Sequence, residues 1–226
     1  MTFSRGSVTF PPLFPPGSLI VSCQALPASP FHGPAEMTLM ARAAALGGAG
    51  GIRANGAADI AAIHAAVDLP IIGISKTGDP DGVYITPTFA AAAPLVEAGA
   101  SVVGLDATLR PRPEPLPQLI TRLHDELGVP VLADVDSLAA GVEAAAAGAD
   151  YVATTLSGYT GGAVPADPDV DLVRSLAVEL DCPVIAEGRY VTPADVSAAF
   201  AAGATAVVVG TAITNPTEIT RRLVQR

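Results

Sequence analysis

The sequence predicts one α/β domain, a single (β/α)8 TIM barrel, on three observations. Short apolar runs alternate with Ala-rich helical stretches along the 226-residue chain. Several runs are unbroken rather than alternating, as strands covered on both faces of a parallel sheet are. Three helical stretches end in the same small-residue punctuation: Glu97-Ala98-Gly99-Ala100, Ala147-Gly148-Ala149-Asp150 and Ala202-Gly203-Ala204-Thr205. A glycine stops a helix there because it accepts φ > 0, and the strand begins at once, so the βα unit repeats.

The elements follow in order. The first strand is Leu19–Leu26 and its helix Pro34–Leu46, with Pro34 suited to a first helical turn. A short strand, Gly51–Ala54, precedes a helix over Ala57–Val67. The third strand, Pro70–Lys76, leads through the loop Gly78-Asp79-Pro80-Asp81-Gly82 to a helix over Thr88–Ala98. The fourth strand is Ser101–Ala107, then helix Leu116–Leu127 and strand Pro130–Val135. Helix Leu138–Ala147 precedes strand Tyr151–Leu156, and helix Pro168–Leu180 precedes strand Pro183–Glu187. Helix Pro193–Ala202, strand Ala206–Val209 and a last helix from Pro216 to about Val224 complete eight alternating pairs. Eight pairs favour a closed barrel over an open doubly wound sheet. The open form would carry Gly-x-Gly-x-x-Gly after its first strand. The glycine-rich run Gly47–Gly51 instead follows a helix and reads as a helix stop. The domain is expected over residues 1–226, with 1–18 as a Pro-rich lead-in. Pro11–Pro16 reads either as a plug for the barrel bottom or as a disordered lead-in.

Composition bounds the function. Half the residues are hydrophobic and 15% charged, which suffices for a large core and excludes a disordered chain. Aromatic residues make up only 4%, so the core must be Ala, Val, Leu and Ile. A formal charge of −10 repels polyanions, which argues against nucleic acid and anionic membrane as partners. It leaves room for a small anion, whose site is built locally from N–H groups and a few cations. Cys23 and Cys182 form no Cys-x-x-Cys pair, so a cytoplasmic location without disulfides is expected. Met1–Pro16 lacks a cationic start with a following apolar run, and no stretch of about 18 apolar residues exists, so neither signal peptide nor membrane span is expected.

Barrel enzymes carry their reactive groups at the C-terminal ends of the strands. Polar residues at those positions form a long series here: Ser22 and Gln24, Arg53, Lys76, Asp106, Asp134 and Asp136, Thr154, Thr155 and Ser157, Glu187 and Arg189, and Gly210 and Thr211. Lys76 and Glu187 each directly follow an apolar run, where an ionisable group is costly unless paired or reactive. Asp106 and Asp134 also fit loop or helix caps, and Arg53 also fits a structural ion pair. Arg110 and Arg112 lie in a Pro-rich loop and are expected to be solvated. His32, His64 and His124 lack metal spacing, so no metal or cofactor is expected. Glu187-Gly188-Arg189 leaves strand seven, and Val209-Gly210-Thr211-Ala212 leaves strand eight. Those two barrel loops often bind phosphate through backbone N–H groups, so Gly188, Arg189, Gly210 and Thr211 are the candidate phosphate site.

With these residues in order, the chain resembles the bacterial N-acylmannosamine-6-phosphate 2-epimerases from about Leu19 to Leu223. The motifs are Ser22-Cys23-Gln24-Ala25-Leu26, Gly51-Ile52-Arg53-Ala54-Asn55, Leu69-Pro70-Ile71-Ile72-Gly73-Ile74 leading to Lys76, and Leu105-Asp106 with Thr108. They continue with Ala133-Asp134, the most specific run Thr154-Thr155-Leu156-Ser157-Gly158-Tyr159-Thr160, Ile185-Ala186-Glu187-Gly188, and Gly210 with Ala212-Ile213-Thr214. The resemblance implies inversion at C2 of N-acetylmannosamine 6-phosphate, giving N-acetylglucosamine 6-phosphate in sialic acid breakdown. It implies Lys76 and Glu187 as catalytic residues, and Gln24, Arg53, Asp134, Asp106 and Thr155 as sugar-binding. It also leans toward a homodimer. Ser75, Thr77, Asp136 and Arg189 depart from residues common in the family, which bears on substrate preference rather than reaction type.

Inverting C2 breaks a C–H bond beside the C1 aldehyde of the open sugar and returns the proton to the other face. A base must reach that proton and a donor must meet the enolate oxygen. Lys76 serves as base only if partly neutral, which burial or a nearby cation such as Arg53 would bring about. Glu187 would handle a sugar hydroxyl or aid ring opening. Two alternatives stand: an aldolase-like barrel with Lys76 as Schiff base, and a sugar-phosphate sensor without turnover.

Overall fold

The computed structural model describes residues 10–77 and 82–224. Residues 1–9 of the lead-in and 78–81 of the Gly78–Gly82 loop lie outside it. The elements are β1 (Ser18–Cys23), α1 (Pro34–Leu46), β2 (Gly51–Asn55), α2 (Ala57–His64), β3 (Ile71–Ile74), α3 (Phe89–Glu97), β4 (Val102–Asp106) and α4 (Leu116–Leu127). They continue as β5 (Val131–Asp134), α5 (Leu138–Ala146), β6 (Tyr151–Ala153), α6 (Val170–Glu179), β7 (Val184–Glu187), α7 (Pro193–Ala201), β8 (Ala206–Val209), α8 (Thr211–Thr214) and α9 (Pro216–Val224). The strands pair in sequence order, all parallel, and β8 returns to β1, so the barrel is closed.

Local chemistry sets the element ends. Thr88, Ser137 and Asp169 cap α3, α5 and α6 by accepting a backbone N–H from three residues on. Thr192 and Asp195 form a reciprocal capping box on α7. The repeated Ala-Gly-Ala punctuation is realised as expected: Gly99, Gly148 and Gly203 follow their helices at φ +105°, +102° and +106°. Several elements differ from the sequence expectation, among them the first strand, which stops at Cys23 rather than Leu26, and the second helix, which stops at His64 rather than Val67. The sixth strand stops at Ala153, because the chain turns at Thr154–Tyr159 instead of running on to Leu156. The third strand stops at Ile74, and Lys76 forms an isolated antiparallel bridge with Ile85. A short helix, α8, sits between β8 and the last helix, so the described chain has nine helices rather than eight.

Side chains alternate in and out of the barrel with the two-residue period of a strand. Ile20, Ile72, Ile74, Val102, Leu132, Tyr151, Ala153, Ile185, Ala206 and Val208 form one buried cluster and fill the barrel. Their neighbours face outward: Val21, Ile52 and Ile71 pack with α1 and α2, and Val103, Ala133, Val152, Ala186 and Val207 with the later helices. Small helical residues such as Ala41, Ala92, Ala140 and Ala199 are fully buried there. This is how an almost aromatic-free sequence packs its layers tightly.

The lower end of the barrel is closed by the Pro-rich segment. Phe14 is 1% exposed and belongs to the interior cluster, meeting Tyr151 edge-on at 5.7 Å between ring centroids. Tyr151 Oη accepts the Leu13 N–H at 3.1 Å. Gly51, opposite, makes room: a Cβ there would lie 2.7 Å from Phe14 Cε1. Of the two readings of Pro11–Pro16, the plug is the one observed.

Candidate active site

Continuing the inward parity up each strand gives the site directly. Above the apolar layer the inward positions are Ser22 and Gln24, Arg53 and Asn55, Lys76, Asp106, Asp134, Thr155, Glu187 and Gly210. Arg53, at the centre of these, is buried at 1% exposure. Its guanidinium donates to both oxygens of Asp134, Nη1 to Oδ1 at 2.9 Å and Nη2 to Oδ2 at 2.7 Å, and Nη1 also reaches Glu187 Oε2 at 2.8 Å. Thr155 Oγ1 completes the cluster, 2.5 Å from Asp134 Oδ1 and 3.1 Å from Glu187 Oε2. Gly104, on the inner face of β4, leaves room for Ile74 beside the guanidinium. A Cβ there would stand 2.7 Å from Ile74 Cγ2, 3.3 Å from Ile72 Cγ2 and 3.8 Å from Arg53 Nη2.

Electrostatics divides the groups by role. Burial alone would push Arg53 down, but Asp134 and then Glu187 hold it up, so it stays charged. Asp134 is 0% exposed and takes the paired fork, the geometry that favours a full carboxylate. Glu187 shares the same guanidinium yet goes the other way. Its burial raises its pKa more than Arg53 lowers it, because Arg53 is already committed to Asp134, whose charge adds a further upward push. Lys76 is lowered, first by burial of its end in the barrel mouth and then by Arg53, while Glu187 and Asp134 act against the shift. Part of the lysine stays exposed, as a group that must meet a ligand should be. Among the described residues no carboxylate forms a salt bridge with Lys76.

The backbone holds both groups firmly. Asn55 Oδ1 accepts the Lys76 N–H at 2.9 Å. Beside Lys76, Ser75 and Thr86 are joined twice, and Thr86 is held at φ +47°, a strained value for a β-branched residue. Thr154 Oγ1 accepts the Glu187 N–H at 3.0 Å and donates to the Glu187 carbonyl at 2.9 Å. Adjacent threonines therefore fix Glu187, one by its backbone and one by its carboxyl. Gln24 bonds within its own strand end, its Nε2 donating to Ser22 Oγ at 2.8 Å, and its Oε1 is buried with no partner. Arg53 Nε is likewise buried and unpaired.

Other expected site residues have different surroundings. Asp106 is occupied by its own loop: it accepts from Thr108 N and Oγ1, from Arg110 Nη2 at 2.6 Å and from Tyr84 N. Arg110 and Arg112 are therefore not solvated, which corrects that expectation. Arg110 pairs with Asp106, and Arg112 donates to the Asp106 carbonyl at 2.6 Å. Arg189, at φ +64°, turns away and donates to the carbonyls of Asp167 and Ser157 at 2.7 and 2.6 Å, while its guanidinium lies over the Tyr159 ring. It ties the β6 loop to β7. Thr214 Oγ1 donates to the Ser22 carbonyl, which fixes α8 to β1. The N–H groups of Gly188, Arg189, Gly210 and Thr211 donate to no acceptor among the described residues. Tyr84 was not singled out in the sequence. It packs on the interior cluster beside the Lys76 bridge, and burial followed by Asp134 raises its pKa. Its position between the Gly78–Gly82 loop and Ile85-Thr86-Pro87 was the only available signal. Among the described residues no three His, Cys, Asp or Glu side chains are arranged to hold a metal, and no helix is long and apolar enough to cross a membrane.

Comparison with known proteins is consistent over nearly the whole chain. Residues 37–226 match the family described as "Putative N-acetylmannosamine-6-phosphate epimerase". A protein of Thermosynechococcus vestitus named "Putative N-acetylmannosamine-6-phosphate 2-epimerase" is 50% identical over 200 residues, 88% of either chain. A "Bifunctional enzyme NanE/NanK" of Brucella melitensis is 48% identical over 206 residues, 90% of this chain and 39% of that one. Among solved structures, the N-acetylmannosamine-6-phosphate 2-epimerase from Clostridium perfringens superposes with a TM-score of 0.88 at 42% identity, covering 92% of each chain.

Proposed function

The chain belongs to the N-acetylmannosamine-6-phosphate epimerase family, and we infer from that premise that it inverts C2 of N-acetylmannosamine 6-phosphate to give N-acetylglucosamine 6-phosphate, with Lys76 and Glu187 as its acid–base pair. The observation that carries the assignment of roles is the opposite tuning of these two groups in one barrel mouth. The amine is pushed toward its neutral form, which is what a base requires. The carboxyl is pushed toward its protonated form, which is what an acid requires.

The open-chain sugar presents an aldehyde at C1. Lys76 Nζ takes the C2 proton, and the C–H electron pair forms the C1–C2 double bond. The carbonyl π pair moves to O1, which takes the proton of Glu187. The neutral enol then reverses these transfers with the proton delivered to the other face of C2. Every atom returns to its starting group, and the reaction as written needs no redox partner. Arg53 and Asp134 hold the carboxyl in place, and Gln24 Oε1 offers an unused acceptor to a sugar hydroxyl or the amide N–H. The 6-phosphate is assigned to the free N–H groups of Gly188, Arg189, Gly210 and Thr211, with Thr211 Oγ1 as a further donor. A cytoplasmic location and a homodimer belong to the same reading. Cys23 and Cys182 are free thiols, and α9 buries none of its side chains and leaves Leu223 and Val224 exposed.

Proton NMR of N-acetylmannosamine 6-phosphate in D2O tests the reaction, since turnover must exchange the C2 proton as the two epimers interconvert. Lys76→Ala should still bind substrate and turn over roughly 10²–10⁴-fold more slowly. Unchanged turnover would remove Lys76 from the mechanism. A borohydride-trapped adduct on Lys76 would favour the Schiff-base alternative.

A further inference from the structure

We propose that Thr155 is a positioning residue that keeps the acid proton on Glu187: its own hydroxyl proton goes to Asp134, and its oxygen accepts the proton of a neutral Glu187 carboxyl. The proposal rests on the reading of Glu187 as the acid. It comes from counting protons.

Thr155 Oγ1 lies 2.5 Å from Asp134 Oδ1 and 3.1 Å from Glu187 Oε2. A hydroxyl carries one proton, so it can donate to only one of them. Apart from a three-centre sharing of that one proton, which weakens both bonds, the two contacts are hydrogen bonds together only if a carboxyl group brings a second proton. Asp134 is the poor host, because both its oxygens take N–H groups of Arg53 in the bidentate arrangement of a full carboxylate. The 2.5 Å distance is also that of an O–H donor to a charged oxygen. The second proton therefore resides on Glu187, whose Oε2 keeps a lone pair for Arg53 Nη1. With both carboxyls ionised, an oxygen lone pair of Thr155 would face Glu187 at 3.1 Å with nothing between them.

The ionisable groups facing Glu187 are Arg53 from β2, Lys76 from beyond β3 and Asp134 from β5. Burial, the largest influence, favours the neutral acid; Arg53 and Lys76 act against it and Asp134 with it. If the Thr155 proton went to Glu187 instead, it would favour the charged form, so the direction of this one bond matters. During turnover the O–H bond of Glu187 breaks as a new O–H bond forms on the sugar O1, and the bonding pair stays on the carboxylate. The Thr155 hydroxyl can then swing its proton from Asp134 to Glu187, since both oxygens are within reach of one rotor. Reprotonation swings it back.

Infrared titration tests this without relying on catalysis. The carbonyl stretch of a protonated carboxyl is followed against pH and assigned by its loss in Glu187→Gln. The wild-type band should persist at a pH where exposed carboxylates have ionised. In Thr155→Val it should titrate roughly half to one pH unit lower, the equivalent of one hydrogen bond, and move toward the frequency of an acid without an acceptor. Thr155→Ser should restore both, and circular dichroism confirms that the variants are folded. Absence of the band in the wild type, or an upward move of the titration in Thr155→Val, overturns the proposal. Failure of the underlying reading looks different: Glu187→Gln would turn substrate over at the wild-type rate, whatever the infrared result.

Discussion

Replacing Arg53 by Met should destabilise this protein more than most core truncations do, and the loss should depend on pH. The substitution keeps an unbranched stem but deletes the one cation among the described residues that pairs with Asp134, which is 0% exposed, and the partner of Glu187 at 2.8 Å. Removing one side of a buried ion pair costs about 3–5 kcal/mol, because the other charge is left unpaired. A domain of this size loses roughly 2–4 °C of Tm per kcal/mol, so Tm should fall by about 6–20 °C at pH 8. The abandoned carboxyls escape by taking up protons, so their folded pKa values rise above the unfolded values near 4. A group raised in this way gives its full stability below the unfolded pKa and loses it as pH rises through the folded one. The deficit should therefore be small near pH 4 and largest above neutrality. Arg53→Met with Asp134→Leu should recover part of the loss, since replacing both members removes the unpaired charge. Thermal unfolding by circular dichroism at pH 4, 6 and 8 measures this. A single-variant Tm within about 2–4 °C of wild type at pH 8, a change of roughly 1 kcal/mol, would refute the reasoning, as would a deficit that does not vary with pH.

Glu187→Gln should behave in the opposite sense for stability. The raised carboxyl destabilises the fold once ionised, so the Gln variant should gain on the wild type as pH rises and lose that advantage in acid, again read by thermal unfolding. Phe14→Ala should cost about 3–5 kcal/mol by emptying the barrel floor, yet leave kcat near wild type at low temperature, because the reactive groups lie at the other end. Enzyme that fails to fold under native conditions is set apart by its circular dichroism. With substrate deuterated at C2, a single lysine base should return at most about one third of the label in a single turnover, since the ammonium scrambles three equivalent hydrogens. Mass spectrometry of the product gives the figure, and retention well above one third would rule out a freely rotating ammonium.

The repeat was legible because each helix stop is local: an Ala-Gly-Ala run needs no partner elsewhere in the chain. The strand ends were legible as positions, since an inward parity of two carries Ile74 to Lys76, Leu132 to Asp134 and Ile185 to Glu187. What those residues do to one another was not. Arg53 finds Asp134 across 81 positions and Glu187 across 134, distances set only when the sheet closes. Arg110 and Arg112 were misjudged for the same reason, because the turn that brings them onto Asp106 is not written in a Pro-rich spacing. Arg189 was matched to phosphate by its neighbours in sequence; that its left-handed backbone sends the side chain onto the β6 loop was not legible there. The sixth strand was drawn too long because Thr154 and Thr155 have good strand propensity, which the demands of Glu187 override.

One position with no side chain at all governs the arrangement. Gly104 touches no sugar in any reading of the site, yet its missing carbon is the berth that Ile74 fills, with the Arg53 head at contact distance beside it. A survey that ranked positions by distance from the reacting carbon would pass over it. Filling the berth even with a methyl group would force Ile74, two residues before Lys76, to shift, and so disturb the base from behind. Vacant volume at residue 104 thus supports the chemistry, although it contributes no atom to it.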